Sequence, residues 1–172
     1  KPYSKYAGPT KLPAGRIELN LQGQGNFENA DLQLSDAMAG VTFEKSNAKV
    51  FVSAKEQIGF IRIAGADSVE PTLIVPKFSA EKVDESNESS LNIDLAKLGY
   101  NRPDVKQGDN WQAYQQKCWG DFVFAVALMY KQTSAGWVGV WSIATSNESD
   151  EPLEAALANC RKGLKKGFDK TY

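Results

Sequence analysis

Apolar and polar positions change their rhythm along the chain. Ile17, Leu19 and Leu21 alternate with Glu18, Asn20 and Gln22, the period-two pattern of a strand with one wet face, and Gly23-Gln24-Gly25 ends it. Residues 27–38 fit either period: Phe27, Leu34 and Met38 make a helical stripe, while Leu32 and Leu34 alternate. Three strands are expected next, Val41–Glu44, Lys49–Ala54 and Ile58–Ala64, joined by loops short enough for an antiparallel meander. Ile58–Ala64 is apolar on both faces except at Arg62, the pattern of a central strand. Thr72–Phe78 reads as a fifth strand, which Pro76 pushes toward an edge or a bulge.

Between 79 and 108 the pattern fades. Asp84, Glu85 and Glu88 sit among Ser79, Ser86, Ser89 and Ser90, and only Leu91–Leu98 offers a short helical stripe. So long a stretch inside a domain reads as a functional loop or a connection between subdomains. After it, Asp109 can cap a helix carrying Trp111, Tyr114 and Cys118 on one stripe. Phe122–Lys131 and Trp137–Thr145, apolar on both faces, then form a hairpin around residues 132–136.

The last element is the clearest. Leu153, Ala156, Leu157, Cys160 and Leu164 make one helical stripe, with Ser149 or Asp150 as cap and Pro152 in the first turn. Glu148, Asp150, Glu151 and Glu154 crowd its start; Arg161, Lys162, Lys165 and Lys166 crowd its end, before Gly167. Charge in that order complements the helix dipole, which explains the basic cluster without a partner. The whole predicts an α+β fold, a mainly antiparallel β-sheet of about six or seven strands with two or three helices packed on one face, the C-terminal amphipathic helix among them. Residues 1–16 hold Pro2, Pro9 and Pro13 with four cations and no carboxylate, and read as an extended N-terminal arm. Residues 17–172 then form a single domain, with room for a subdivision at the 79–108 loop.

Composition narrows the chemistry. The chain has no histidine, so imidazole-based catalysis and His-ligated zinc cannot come from it alone. A net charge of −1 and a pI near 5.6 argue against a dedicated nucleic-acid binder, which needs a basic surplus. The longest apolar run, Phe122–Tyr130, is well short of the roughly 20 residues that span a bilayer, so no transmembrane helix is expected. Cys118 and Cys160 are an even pair, and a disulfide between them would add about 4 kcal/mol in a chain-entropy model. That bridge, with a first residue other than Met, leads to the expectation of a secreted or periplasmic protein. Asn87 and Asn147 stand in glycosylation tripeptides.

Motifs for specific ligands are incomplete. Gly23-Gln24-Gly25-Asn26 lacks the third glycine and the lysine of a phosphate loop. Asp84, Ser86 and Glu88 alternate like calcium ligands, but the glycine and terminal glutamate of an EF-hand are missing, so neither metal nor cofactor is expected. Asp104, Asp109 and Asp121 are the carboxylates placed to run acid–base chemistry. Aromatics offer the better lead: Trp137 and Trp141 fall on one strand face with Gly139 between them, leaving a gap for a ligand ring or a core side chain. With Trp111 and Tyr114 they are the candidate ligand-binding residues. The expected function is therefore a non-catalytic extracytoplasmic binding domain that recognises a protein or a carbohydrate. The alternatives are a carboxylate-dependent glycan hydrolase and a membrane-active toxin, the latter using interfacial aromatics and the basic helix end.

Overall fold

The computed structural model describes residues 14–78, 95–96 and 100–172. The proline-rich arm up to residue 13 and the acidic serine-rich run lie outside the described residues. In chain order the elements are β1 (Arg16–Gln22), β2 (Phe27–Gln33), β3 (Met38–Phe43), β4 (Asn47–Val52), β5 (Ile58–Ala64), β6 (Ser68–Ile74), β7 (Asp104–Gly108), β8 (Trp111–Lys117), β9 (Val123–Thr133), β10 (Gly136–Thr145), α1 (Pro152–Lys166) and α2 (Phe168–Thr171). Eight strands form one antiparallel sheet in the order β2-β3-β4-β5-β10-β9-β8-β7, and β1 pairs with β6 in a separate two-stranded ribbon.

The middle strands explain the layering. Side chains alternate across a strand, so a strand that is apolar throughout needs cover on both faces. On one face, Ile58 and Phe60 of β5, Ala125 and Ala127 of β9, and Val140 and Ala144 of β10 pack beneath Leu153, Ala156, Leu157 and Cys160 of α1. On the other, Ile61, Ile63 and Trp137 lie beneath Ile17, Leu19, Leu21 and Val69 of the ribbon. Tyr114, Phe124 and Val126 continue this second face beneath Leu73 and Val75. The molecule is thus a helix layer, an eight-stranded sheet and a ribbon.

Arg62, the one charge in β5, faces the helix side. Its guanidinium stacks 4.3 Å from the Phe168 ring centroid and pairs with Asp169 at 2.8 Å, fastening α2 to the sheet. Phe51, Phe60 and Phe168 form an aromatic cluster around that contact.

Mostly antiparallel sheet and a C-terminal helix match the expected class, but among the described residues the strands number ten, in two sheets, and only α1 is a long helix. Residues 109–118 are the chief correction. They form β8 rather than a helix, because Trp111 and Ala113 face α1 while Tyr114 and Gln116 face the ribbon side. Residues 104–108, expected as loop, are the paired strand β7. The ambiguous stretch after Phe27 is strand β2, followed by a turn into β3. The strand expected over 72–78 ends at Ile74, so Pro76 lies beyond it, and Pro71 is the proline inside. The β9–β10 loop shrinks to Ser134-Ala135, since Thr133 pairs with Gly136. Gly136 has φ +119°, and a Cβ there would collide with the Ile63 carbonyl. At the start of α1 the cap position is Glu151, without a side-chain cap bond. Ser149 instead accepts the Glu151 N–H at 3.1 Å.

Three tryptophans rest on glycines. The Trp141 ring covers Gly59, its cross-strand partner, Trp137 covers Gly139, and Trp111 covers Gly108. A Cβ at Gly59 would overlap the Trp141 indole. Gly59→Val is therefore expected to lower stability by about 1–3 kcal/mol through overpacking. Urea denaturation reads that loss, and red-shifted emission from a lifted Trp141 should accompany it; an unchanged midpoint contradicts this seating.

Candidate functional site

The four candidate aromatics do not form one surface. Tyr114 is fully buried and Trp137 is 4% exposed, both in the core under the ribbon. Trp137 and Trp141 do share a face, as their spacing requires, but the gap over Gly139 is filled by the Trp137 ring itself. Trp141 is half-buried at the margin of the ribbon. There it lines a shallow depression of about 220 Å3 with Val52, Gly59 and Ile143. Trp111 is half-buried on the opposite face, against the α1 core.

The exposed tryptophan is Trp119. It is 63% exposed on the loop joining β8 to β9, with Phe122 37% exposed beside it. The chain turns tightly here because the Cys118 N–H donates to the Phe122 carbonyl at 2.8 Å and Gly120 adopts φ +64°. Both faces of the sheet are covered nearby, so the aromatic side chains of this tip have no layer to enter.

Asp121 of the same loop lines a groove of about 480 Å3. Asp104 and Lys106 of β7, Ser146, and Asp150, Glu151 and Glu154 at the start of α1 complete most of its wall. Five carboxylates against one lysine make the groove strongly acidic. Asp104 and Asp121 thus share one site, as a carboxylate pair would need to. Asp109 does not join them: it lies five residues beyond Asp104 across β7, roughly 16 Å at the rise of a strand. All three are exposed, and Lys106 approaches Asp104 at 3.8 Å. Carboxylates that run acid–base chemistry sit in enclosed apolar pockets, and these side chains are open to solvent. Among the described residues no cluster of three or more carboxylates and thiols is arranged to hold a metal ion.

The expected disulfide is corrected. Cys118 and Cys160 are both free thiols, and the sheet separates them. Cys118 packs with Tyr114 and Phe124 on the ribbon side, whereas Cys160 packs with Ala127 and Val140 under α1. Both fit their apolar surroundings as small hydrophobes. Burial pushes the Cys160 thiol up from its ordinary 9.0 to about 12, and its Sγ donates to the Ala127 carbonyl at 3.5 Å. Burial, and then the nearby Cys118, push the Tyr114 hydroxyl up as well.

The basic end of α1 is used within the fold. Lys162 and Lys166 both reach Glu56, at 3.1 and 3.0 Å, and hold its carboxyl below the ordinary carboxylate range. Lys131 donates to the Leu164 carbonyl at 3.0 Å, where the helix dipole favours a cation. Among the described residues no helix is long and apolar enough to cross a membrane.

Compared with family models, curated proteins and solved structures, the chain matches none.

Trp119 is not among the aromatics that the sequence pattern singles out. Its signal was the Gly120-Asp121 dipeptide directly after it, a turn former that would place the ring at a hairpin tip.

Two outcomes follow for the thiols. Alkylation of unfolded, unreduced protein should modify both cysteines, and in the native state Cys160 should resist; a mass showing neither thiol reactive after unfolding would restore the bridge. Because folding keeps Cys160 neutral, its contribution is intact below pH 9.0 and is lost as the pH rises through about 12. Cys160→Ala should flatten the fall in stability across that alkaline window, measured by urea midpoints.

Proposed function

We propose that the chain is a binding domain for a carbohydrate or protein ligand, engaged at the Trp119–Phe122 loop and the acidic groove that the loop borders. The observation carrying this reading is an exposed tryptophan on the same loop as Asp121, which lines a groove of exposed carboxylates. An exposed indole offers a flat apolar face for the C–H side of a sugar ring, and carboxylates accept hydrogen bonds from its hydroxyls or from ammonium groups. This combination favours carbohydrate, and the groove's negative charge favours amino sugars. The reading does not depend on compartment, since free thiols remove the disulfide as an argument for secretion.

The runner-up is a carboxylate-dependent glycan hydrolase, favoured only by the presence of Asp104 and Asp121 in the same groove. It would require bound substrate to enclose one of them in an apolar pocket.

Chitosan oligomers are the direct probe, with neutral cello-oligosaccharides for comparison. Titration with the cationic oligomers should shift tryptophan emission and shield Trp119 from acrylamide. Trp119→Ala should weaken binding by about tenfold, the scale of one lost aromatic contact. No response to either sugar series, or binding unchanged by Trp119→Ala, overturns the carbohydrate reading. Product release from the oligomers that Asp121→Asn abolishes would favour the hydrolase.

A further inference from the structure

The two edges of the eight-stranded sheet are built differently. Natural edges are blunted by short length, lysine, proline or bulges, because unpaired N–H and C=O groups template another strand. β7 follows this rule: it is five residues long, carries Lys106 and comes directly after Pro103. β2 does not. It has seven residues, all exposed, with no lysine, arginine or proline. Phe27 and Leu32 are each 63% exposed. Its bulge lies between Phe27 and Asn29, leaving Asn29–Gln33 in regular register with β3.

The faces of β2 also differ in chemistry. Ala30 and Leu32 stand opposite Val41 and Ala39 and extend the apolar row on the ribbon side. Asn29, Asp31 and Gln33 stand opposite Thr42, Gly40 and Met38 on the helix side. Asp31 folds over Gly40, and among the described residues no ion pair reaches it or Glu28. Lys49 is two strands away in the same row, across Gly40. From Ile17 to Glu44 the chain has five carboxylates and no lysine or arginine.

We infer that β2 is an acceptor edge for an extended, basic segment of a partner protein, which adds as a ninth strand. Backbone hydrogen bonds to the outward groups of β2 provide the attachment. Alternate apolar side chains of the segment lie against Ala30 and Leu32, and the intervening lysines or arginines meet Asp31 and Glu28. The acidic character of this edge selects against acidic strands and against a second β2, whose carboxylates would repel it. This surface is distinct from the Trp119 loop and stands or falls separately.

The test is an amide NMR titration of the intact chain with an alternating lysine–valine heptapeptide, using an alternating glutamate–valine heptapeptide as control. Shifts should concentrate on residues 27–34 and their β3 partners, weaken with added salt, and be absent with the acidic peptide. Asp31→Lys with Leu32→Lys, both exposed positions, should reduce affinity by about tenfold or more. Trp119→Ala should leave peptide binding intact. Shifts centred elsewhere, equal binding of the acidic peptide, or full binding by the double variant overturn the inference. Concentration-dependent dimerisation lost in the double variant also overturns it, by making a second copy the occupant.

Discussion

The structure depends on the need to cover both faces of β5, β9 and β10. These strands carry apolar residues on both sides, so a single layer of helices cannot complete the core. The two covers are matched to the residues below them. Toward α1 the sheet offers Ala113, Ala125, Ala127 and Ala144, and the helix answers with Ala156, Cys160 and Gly163, so helix and sheet approach closely. A Cβ on Gly163 would lie 2.9 Å from Val140 Cγ1, which shows how little room remains. Toward the thinner ribbon the sheet raises Phe124, Val126, Trp137 and Tyr130, whose bulk fills the space a helix would have occupied.

Covering both faces moves recognition to the periphery. Residues at the centre of the sheet, Trp137 and Tyr114 among them, are spent on packing. Among the described residues, accessible sites gather where pairing stops or the ribbon ends: the tip between β8 and β9, the groove beside the start of α1, the depression beside Trp141 and the β2 edge. The candidate carboxylates follow the same division. They sit at strand ends and turns in water, a setting that suits hydrogen bonding to a ligand better than proton transfer.

The most apolar elements were the most legible. β5 is expected at its observed limits, the β9–β10 hairpin strands within two residues at each end, and α1 by its stripe and its charge order. β8 reads as a helix in the sequence because Trp111, Tyr114 and Cys118 satisfy helical spacing, while Gln112, Gln115 and Gln116 hide the alternation that the sheet imposes. β2 has exposed residues on both faces, so no periodicity marks it. The glycine seats of Trp141 and Trp111 join residues on different strands, and only the register creates them. The disulfide fails for a similar reason: two apolar cysteines satisfy a pairing count, but Cys118 follows β8 on the ribbon side while Cys160 lies on α1, across the sheet.

Native-state hydrogen exchange tests this two-sided core most directly. Amides of β5, β9 and β10 should be the slowest and exchange together, at the free energy of global unfolding, while β2 and β7 exchange much earlier. Protection of β2 or β7 equal to that of β10, or an opening of β9 and β10 that leaves the outer strands closed, would contradict the account.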